Sequence, residues 1–159
     1  MEFAYTPHLA ELKERAAALT EKIMIHEDAC ETGNGLSPQA HRSIREAVLA
    51  SGLQAINMPA EWGGAGLSVL EQVVVQEELG RLTNALWDTV WRPANALAAC
   101  TPAQRERYLV PGILGRRRDA VAITEADAGS DPQGITTTAT PDGTGYRLDG
   151  EKWFVTVGD

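Results

Sequence analysis

Cysteine, histidine, aromatic residues and cations are all scarce in this sequence, and long apolar runs are missing. Only Cys30 and Cys100 among the 159 residues are cysteines, and only three residues are histidines. The two cysteines lie far apart with no Cys-x-x-Cys or Cys/His cluster beside them. They read as free thiols of a reduced compartment rather than as a disulfide frame. His8, His26 and His41 have no partners at ligand spacing, so no metal site is expected. Fourteen Lys and Arg stand against 22 Asp and Glu, a formal net charge of −8. That balance argues against nucleic-acid binding through a basic surface. No run approaches the roughly 20 apolar residues of a membrane span. The N-terminus, MEFAYTPHLAELKE, carries acids early and lacks the apolar centre of a signal peptide. With 43% hydrophobic and 23% charged residues, the expectation is a globular cytoplasmic protein without a membrane partner.

What is present is helical periodicity. Thr6-Pro7 offers an N-cap followed by proline at the first helical position, and Leu9, Leu12, Ala16, Leu19 and Ile23 then recur at spacings of three and four. A turn at Thr32-Gly33-Asn34-Gly35 closes this region. Ser37-Pro38 repeats the cap, and a second helix is expected to run to about Ser51, with Gly52 just past its end. Ile44, Val48, Ala40 and Leu49 supply its buried stripe, whereas His41 and Arg42 read as solvated surface. Pro59 to Leu67, PAEWGGAGL, holds three glycines in four positions. It is either a turn-rich connector, the preferred reading, or a backbone that packs tightly beside a neighbour or ligand. Ser68 to Glu71 is a capping-box pattern that starts a third helix carrying Leu70, Val73, Val74 and Leu79. Asn84 to Cys100 is again helix-like, kinked or broken at Pro93, with Trp87 and Trp91 sharing a face. Thr101-Pro102-Ala103-Gln104 starts a short helix through about Leu109 that Val110-Pro111 stops. Arg116-Arg117-Arg118 is a compact basic run in an acidic protein, either a solvated loop or a phosphate contact.

After Asp119 the pattern changes to strand signals at Ala120 to Ile123, Ile135 to Thr140, Tyr146 to Leu148 and Trp153 to Val157, with turns at Pro141-Asp142-Gly143 and Asp149-Gly150. The domain boundaries expected are therefore 1–118, helical, and 119–159, β. Four short strands are too few for a closed barrel or a covered sandwich. Either strands come from another copy, or the chain is the front part of a longer protein; the second reading is preferred. The organising stretch is Val121 to Asp131, VAITEADAGSD, an apolar run that breaks into a polar loop of hydroxyls, carboxylates and small residues. Such a loop suits a polar or flat ligand, with Gly129 free to take a φ closed to other residues. The spacing of Asp127 and Asp131 does not make a calcium loop.

Ala122 to Gly134, AITEADAGSDPQG, resembles a consensus motif of the acyl-CoA dehydrogenase family: a small residue, an aliphatic and Ser/Thr before Glu, then small-Gly-Ser/Thr-Asp. PAEWGGAGL, EELGR (Glu77 to Arg81), TPAQRERYLVPGILG (Thr101 to Gly115) and GYRLDGEKWFVTVGD (Gly145 to Asp159) are similar to further family segments in order. Ala126 and Asp127 depart from the family's usual proline and glycine, and the stretch from Arg81 to Thr101 is short for its long fourth helix. The resemblance implies a mainly α fold with a small β segment: an N-terminal helical bundle followed by the first strands of an incomplete β-barrel-like domain. It implies FAD, with Val121, Ile123, Thr124, Gly129, Ser130, Phe154, Val155 and Thr156 as cofactor contacts and Ser130 also touching substrate. The reaction implied is α,β-dehydrogenation of an acyl-CoA or acyl-carrier thioester in fatty acid metabolism. Electrons would pass to an electron-transfer flavoprotein or similar acceptor, and the full-length form would be a homo-oligomer. The family's base lies in a C-terminal domain, so no catalytic residue is assigned here, Glu125 reads as a loop-shaping acid, and the 159 residues alone are expected to be inactive. Alternatives are a flavin monooxygenase or nitroalkane-oxidase-like member of the same fold, or a truncated binding or oligomerisation module.

Overall fold

A computed structural model describes residues 4–33 and 35–156. They form two compact units, one up to Arg118 and one from Asp119 onward.

In the first unit α1 (Pro7–Met24) begins where the Thr6 hydroxyl accepts from the Leu9 amide and Pro7 fills the first helical position. Its buried face is Leu12, Ala16, Leu19 and Ile23. Thr20 shares that face, and its hydroxyl donates to the Ala16 carbonyl at 2.9 Å, so a buried polar group is satisfied. The short helix α2 (Glu27–Glu31) follows. Next, α3 (Pro38–Ser51) is capped by Ser37 and ends on Gly52 at φ 68°, a left-handed C-cap that suits glycine. Finally, α4 (Val69–Leu79) starts on a complete capping box between Ser68 and Glu71. The core joins α1, α3 and α4 with Leu53, Ile56, Leu82 and Leu86. Each fully buried Leu or Ile there contributes roughly 1.5–3 kcal/mol of apolar transfer.

Three expectations about this unit need correction. On α4 the buried residues are Val74, Val75, Glu78 and Leu79, while Leu70 and Val73 are 60% and 58% exposed. The helix is apolar on more than one side, so its pattern alone did not pick the buried face. Asn84 to Cys100 is not one kinked helix. It is two 3₁₀ turns, Leu86–Thr89 and Asn95–Ala99, with Pro93 between them. Trp87 is 48% exposed, whereas Trp91 packs against the core with its indole N–H on the Ile113 carbonyl at 3.0 Å. The two tryptophans therefore do not share a helical face. Pro111, lastly, does not end the helix that begins with α5 (Pro102–Gln104). A π-helical turn, Arg105–Leu109, leads into α6 (Val110–Ile113), and the Val110 amide bonds the Arg105 carbonyl five residues back. Widening the turn relieves the clash of a proline ring with the preceding turn.

The glycine-rich turn packs tightly on its own neighbours. The amides of Gly64, Ala65, Gly66 and Leu67 bond carbonyls of Pro59, Ala55, Met58 and Ile56. A Cβ on Gly64 would lie 2.3 Å from the Met58 carbonyl oxygen.

In the second unit β1 (Thr138–Asp142) pairs antiparallel with β2 (Gly145–Asp149), in the register Thr138 to Asp149 and Asp142 to Gly145. Gly143 at φ 59° opens the two-residue turn, as a type II′ hairpin requires. Every position of both strands is exposed. Two of the four expected strands are absent among the described residues. Ala120 to Ile123 lies in no ladder, and neither do Trp153 to Thr156; Val157 falls outside the described residues. Residues Ile135 to Thr137 also stay out of β1, because the Thr136 and Thr137 amides bond a side chain rather than a strand.

Candidate functional site

The loop opened by Val121 is held in shape by one carboxylate. Glu125 and Ala128 exchange amide-to-carbonyl bonds at 3.1 and 3.2 Å, closing a tight turn on Ala126-Asp127. From within this turn the Glu125 side chain, 6% exposed, accepts from the Thr136 amide at 2.8 Å, the Thr136 hydroxyl at 2.7 Å and the Thr137 amide at 3.0 Å. The Lys152 ammonium pairs with Oε1, the oxygen that also accepts from the Thr137 amide, at 2.8 Å. Lys152 first, then the Thr137 and Thr136 donors, hold the Glu125 carboxyl far below the usual carboxylate range. A carboxylate so occupied is a poor proton acceptor near neutral pH, because a general base must present a free lone pair at matched pKa.

Lys152 does a second thing: its ammonium donates to the Ile123 carbonyl at 2.8 Å. The Trp153 amide donates to the Thr124 carbonyl at 2.9 Å. The segment returning from β2 is thus fastened along Ile123-Thr124-Glu125. Gly150 makes the return possible. It sits at φ 149°, and a Cβ there would lie 2.2 Å from the Thr137 hydroxyl.

Of the eight residues expected to contact a cofactor, Ile123, Thr124 and Phe154 are brought to this junction. Val121 and Ile123 are 57% and 54% exposed, and Phe154 is 86% exposed. The Phe154 backbone is left-handed at φ 55°, and its ring meets Trp153 edge-on with centroids 6.0 Å apart. A non-glycine aromatic at positive φ is an uncommon conformation, of the kind that collects at ligand sites. Thr124 and Val155 are half-buried and Thr156 is exposed. Gly129 and Ser130 lie beyond the Glu125–Ala128 turn, both exposed. Gly129 does not use its φ freedom, contrary to expectation: it is not at positive φ, and nothing lies within 4 Å of where its Cβ would be. A cavity of about 170 Å³ in this unit is lined by Glu125, Ala126, Asp127, Thr136, Glu151 and Trp153, none of them among the eight. Asp131 accepts from the Gln133 amide at 3.0 Å and caps the 3₁₀ turn Pro132–Gly134. No cluster of three or more His, Cys, Asp or Glu suited to a metal occurs among the described residues.

Lys152, Thr136 and Thr137 are the residues the sequence reading did not assign to the site. A signal for Lys152 existed: it is one of two cations after Asp119, in a stretch rich in acids. A buried acid in that stretch has few candidates to pair with.

The chain matches the family model for the acyl-CoA dehydrogenase N-terminal domain over residues 6–116 and that for the middle domain over 120–159. It is 35% identical over 120 residues to a 3-(aryl)acrylate reductase of Clostridium sporogenes, a match covering 72% of this chain and 32% of that protein. A caffeyl-CoA reductase-Etf complex subunit of Acetobacterium woodii is 34% identical over 122 residues, covering 73% of this chain and 32% of that one. The chain is also similar to the crystal structure of an acyl-CoA dehydrogenase from Geobacillus kaustophilus, with a TM-score of 0.76 and 25% identity over 99% of this chain and 42% of that one. The match thus spans about a third of the length of these curated relatives. By both family models, which together account for nearly every residue, the chain belongs to the acyl-CoA dehydrogenase family.

Proposed function

We propose that these 159 residues contribute one wall of the flavin site of an FAD-dependent enzyme that dehydrogenates the α,β bond of an acyl thioester. The observation that carries the reading is the Lys152–Glu125 lock, which fastens the Trp153-Phe154 segment beside Ile123-Thr124 while apolar Val121, Ile123 and Phe154 stay exposed. The residues fit the group. A flat ring needs an apolar or aromatic face, and its polar edge needs donors and acceptors. Phe154, Val155 and Ile123 supply the first; the Thr124 and Thr156 hydroxyls supply the second. The Thr124 carbonyl already accepts from the Trp153 amide. Ser130, exposed beside Gly129, is assigned to the thioester end of the substrate as well as to the flavin. When bound, FAD supplies the acceptor for the β-hydride.

The residues of this chain bind and orient; they do not abstract the α-proton. Glu125 is engaged by Lys152, Thr136 and Thr137, and the base is assigned, as the family resemblance implies, to a part of the enzyme beyond these residues. The unit from Asp119 is accordingly read as the opening of the middle β domain and the unit before it as the N-terminal helical domain. In its full-length form the enzyme is proposed to be a cytoplasmic homo-oligomer that passes electrons to an electron-transfer flavoprotein or similar acceptor. The printed names of the two reductases above favour a second direction, hydride addition to an unsaturated acyl group, which needs the same wall because both directions share one transition state.

The test is made on the flavin-loaded full-length protein and on the 159-residue chain. Phe154→Ala is expected to lower FAD affinity by about tenfold through lost aromatic contact. Its effect on unit stability should be small, because the ring is 86% exposed. Unchanged FAD retention in Phe154→Ala and Thr156→Val would remove the wall from this segment. Turnover of an acyl-CoA by the isolated chain with a dye acceptor would refute the placement of the base.

A further inference from the structure

Arg116-Arg117-Arg118 is the one place in the sequence where three cations are consecutive, and it lies outside every helix and strand. All three residues are exposed, and no regular element forms from Arg117 to Thr124. The Arg116 amide closes the turn after α6 on the Pro111 carbonyl at 2.9 Å. Beyond it, the amides of Arg118, Ala120, Val121 and Ala122 donate to no backbone carbonyl among the described residues. The run also ends where the first compact unit ends. A protease holds its substrate as an extended strand through the substrate's own backbone groups, so an irregular, unbonded segment needs the least unfolding to be engaged.

The remaining cations are each withheld from such an enzyme. Lys13, Arg15 and Lys22 lie inside α1, Arg42 and Arg45 inside α3, Arg105 and Arg107 in the π-helical turn, and Arg147 in β2. Cutting there requires a helix or hairpin to open first. Arg81 is folded back by its amide on the Glu78 carbonyl and by ion pairs to Glu21 and Glu78. Lys152 is held by Glu125 and the Ile123 carbonyl. Arg92 is exposed and irregular, but Pro93 follows it, and a nitrogen with fixed φ and no N–H is refused on the leaving side of the cut. The ties of the run itself are loose by comparison. Arg118 pairs with Asp88 in water's reach, the two side chains being 51% and 40% exposed. Arg117 stacks on Tyr108, its guanidinium carbon 4.9 Å from the ring centroid.

We propose that Arg116-Arg117-Arg118 is a processing site, cut first by an endopeptidase whose specificity pocket carries a carboxylate for the arginine side chain. Water adds across one peptide bond on the carboxyl side of an arginine of the run. The bond from carbonyl carbon to nitrogen breaks, the arginine gains a carboxylate and the next residue gains an amino group. Three successive arginines let the pocket be filled in any of three registers. One product carries α1 to α6, and the other carries the hairpin with the Lys152–Glu125 lock. The run uses no residue of the flavin wall, so failure of either reading leaves the other standing.

The experiment is a limited digestion of the full 159-residue chain with trypsin, whose pocket is of that kind, with fragment masses read over time. The first fragments are expected to end at Arg116, Arg117 or Arg118, before any cut in α1, α3 or β2. Changing all three (Arg116→Gln, Arg117→Gln and Arg118→Gln together) should remove those fragments and slow the first cut at least about tenfold, because every other site waits on local opening. Asp88→Asn releases Arg118 and should speed the fragment ending there about twofold. Arg42→Gln, in α3, should be cut as wild type is. If the triple variant melts early, the three single variants replace it, each expected to remove one fragment end and leave the other two. A first cut anywhere else, or a triple variant cut as fast as wild type, would overturn the site.

Discussion

Gly64→Ala is the sharpest test of how the first unit is built. The new Cβ would lie 2.3 Å from the Met58 carbonyl oxygen, 2.7 Å from its carbon and 2.8 Å from the Ala55 carbonyl oxygen. All three are backbone atoms, so no side chain can rotate away. Reaching ordinary van der Waals contact demands a shift of about 1 Å in a close-packed region. The same carbonyls are already in use: Met58 accepts from the Gly66 amide at 2.9 Å, and Ala55 from the Met58 amide at 2.9 Å and the Ala65 amide at 3.3 Å. Losing one such bond costs about 1 kcal/mol net, and strain from overpacking adds about 2 kcal/mol. A total of about 3 kcal/mol should lower the melting temperature by roughly 10 °C for a unit of this size. Gly112→Ala is the contrast. Its Cβ would meet nothing closer than Pro93 at 3.7 Å, and Gly112 lies in α6. Alanine there should stabilise by about 0.5–1 kcal/mol through the lost entropy of glycine. Circular dichroism melts of both variants decide the matter. A Gly64→Ala protein melting within about 2 °C of wild type would refute the packing argument.

On α4, Val75→Ser should cost about 3 kcal/mol in chemical denaturation, since it empties a fully buried site and buries a hydroxyl, while the exposed Val73→Ser should stay within about 0.5 kcal/mol. Equal losses would mean the helix is rotated. Ser68→Ala removes the cap on the Glu71 amide and should cost about 1 kcal/mol, read as the same denaturation shift. Because the Glu125 carboxyl is held below its ordinary range in the folded state, the stability it lends is fully present above the unfolded carboxylate value. It is lost progressively as pH falls through the depressed folded value. Hydrogen exchange of the Thr136 and Thr137 amides should accordingly stay slow at neutral pH and quicken in acid, relative to amides of α1. In Glu125→Gln it should be fast already at neutral pH, and slow exchange in that variant would contradict the lock.

What the sequence reveals and what it conceals divide along one physical line. The caps at Thr6, Ser37, Ser68 and Thr101 are contacts within three residues, and all four appear where the pattern places them. The buried face of α4 is not local. Val69, Leu70, Val73, Val74 and Val75 surround the helix, and only packing against α1 picks Val75 over Val73. The Asn84 to Cys100 stretch has apolar spacing that suits a helix, yet the Asn57 side chain bonding Pro93 and Asn95 from 36 and 38 residues away ties it to another backbone. The candidate site follows the same rule. That Val121 to Asp131 is a polar loop after an apolar run can be read directly. That its acid is a lock rather than a reactive group depends on Lys152, which arrives only after a hairpin has turned the chain back. Strand propensity at Val121 to Ile123 and Trp153 to Val155 is real in composition. Among the described residues one backbone bond, from the Trp153 amide to the Thr124 carbonyl just past the first segment, and the Lys152 ammonium on the Ile123 carbonyl bring them together, and a ladder cannot form from one rung. Val121, Ile123, Trp153 and Phe154 accordingly stay exposed, and Phe154 among them is held in a left-handed backbone conformation.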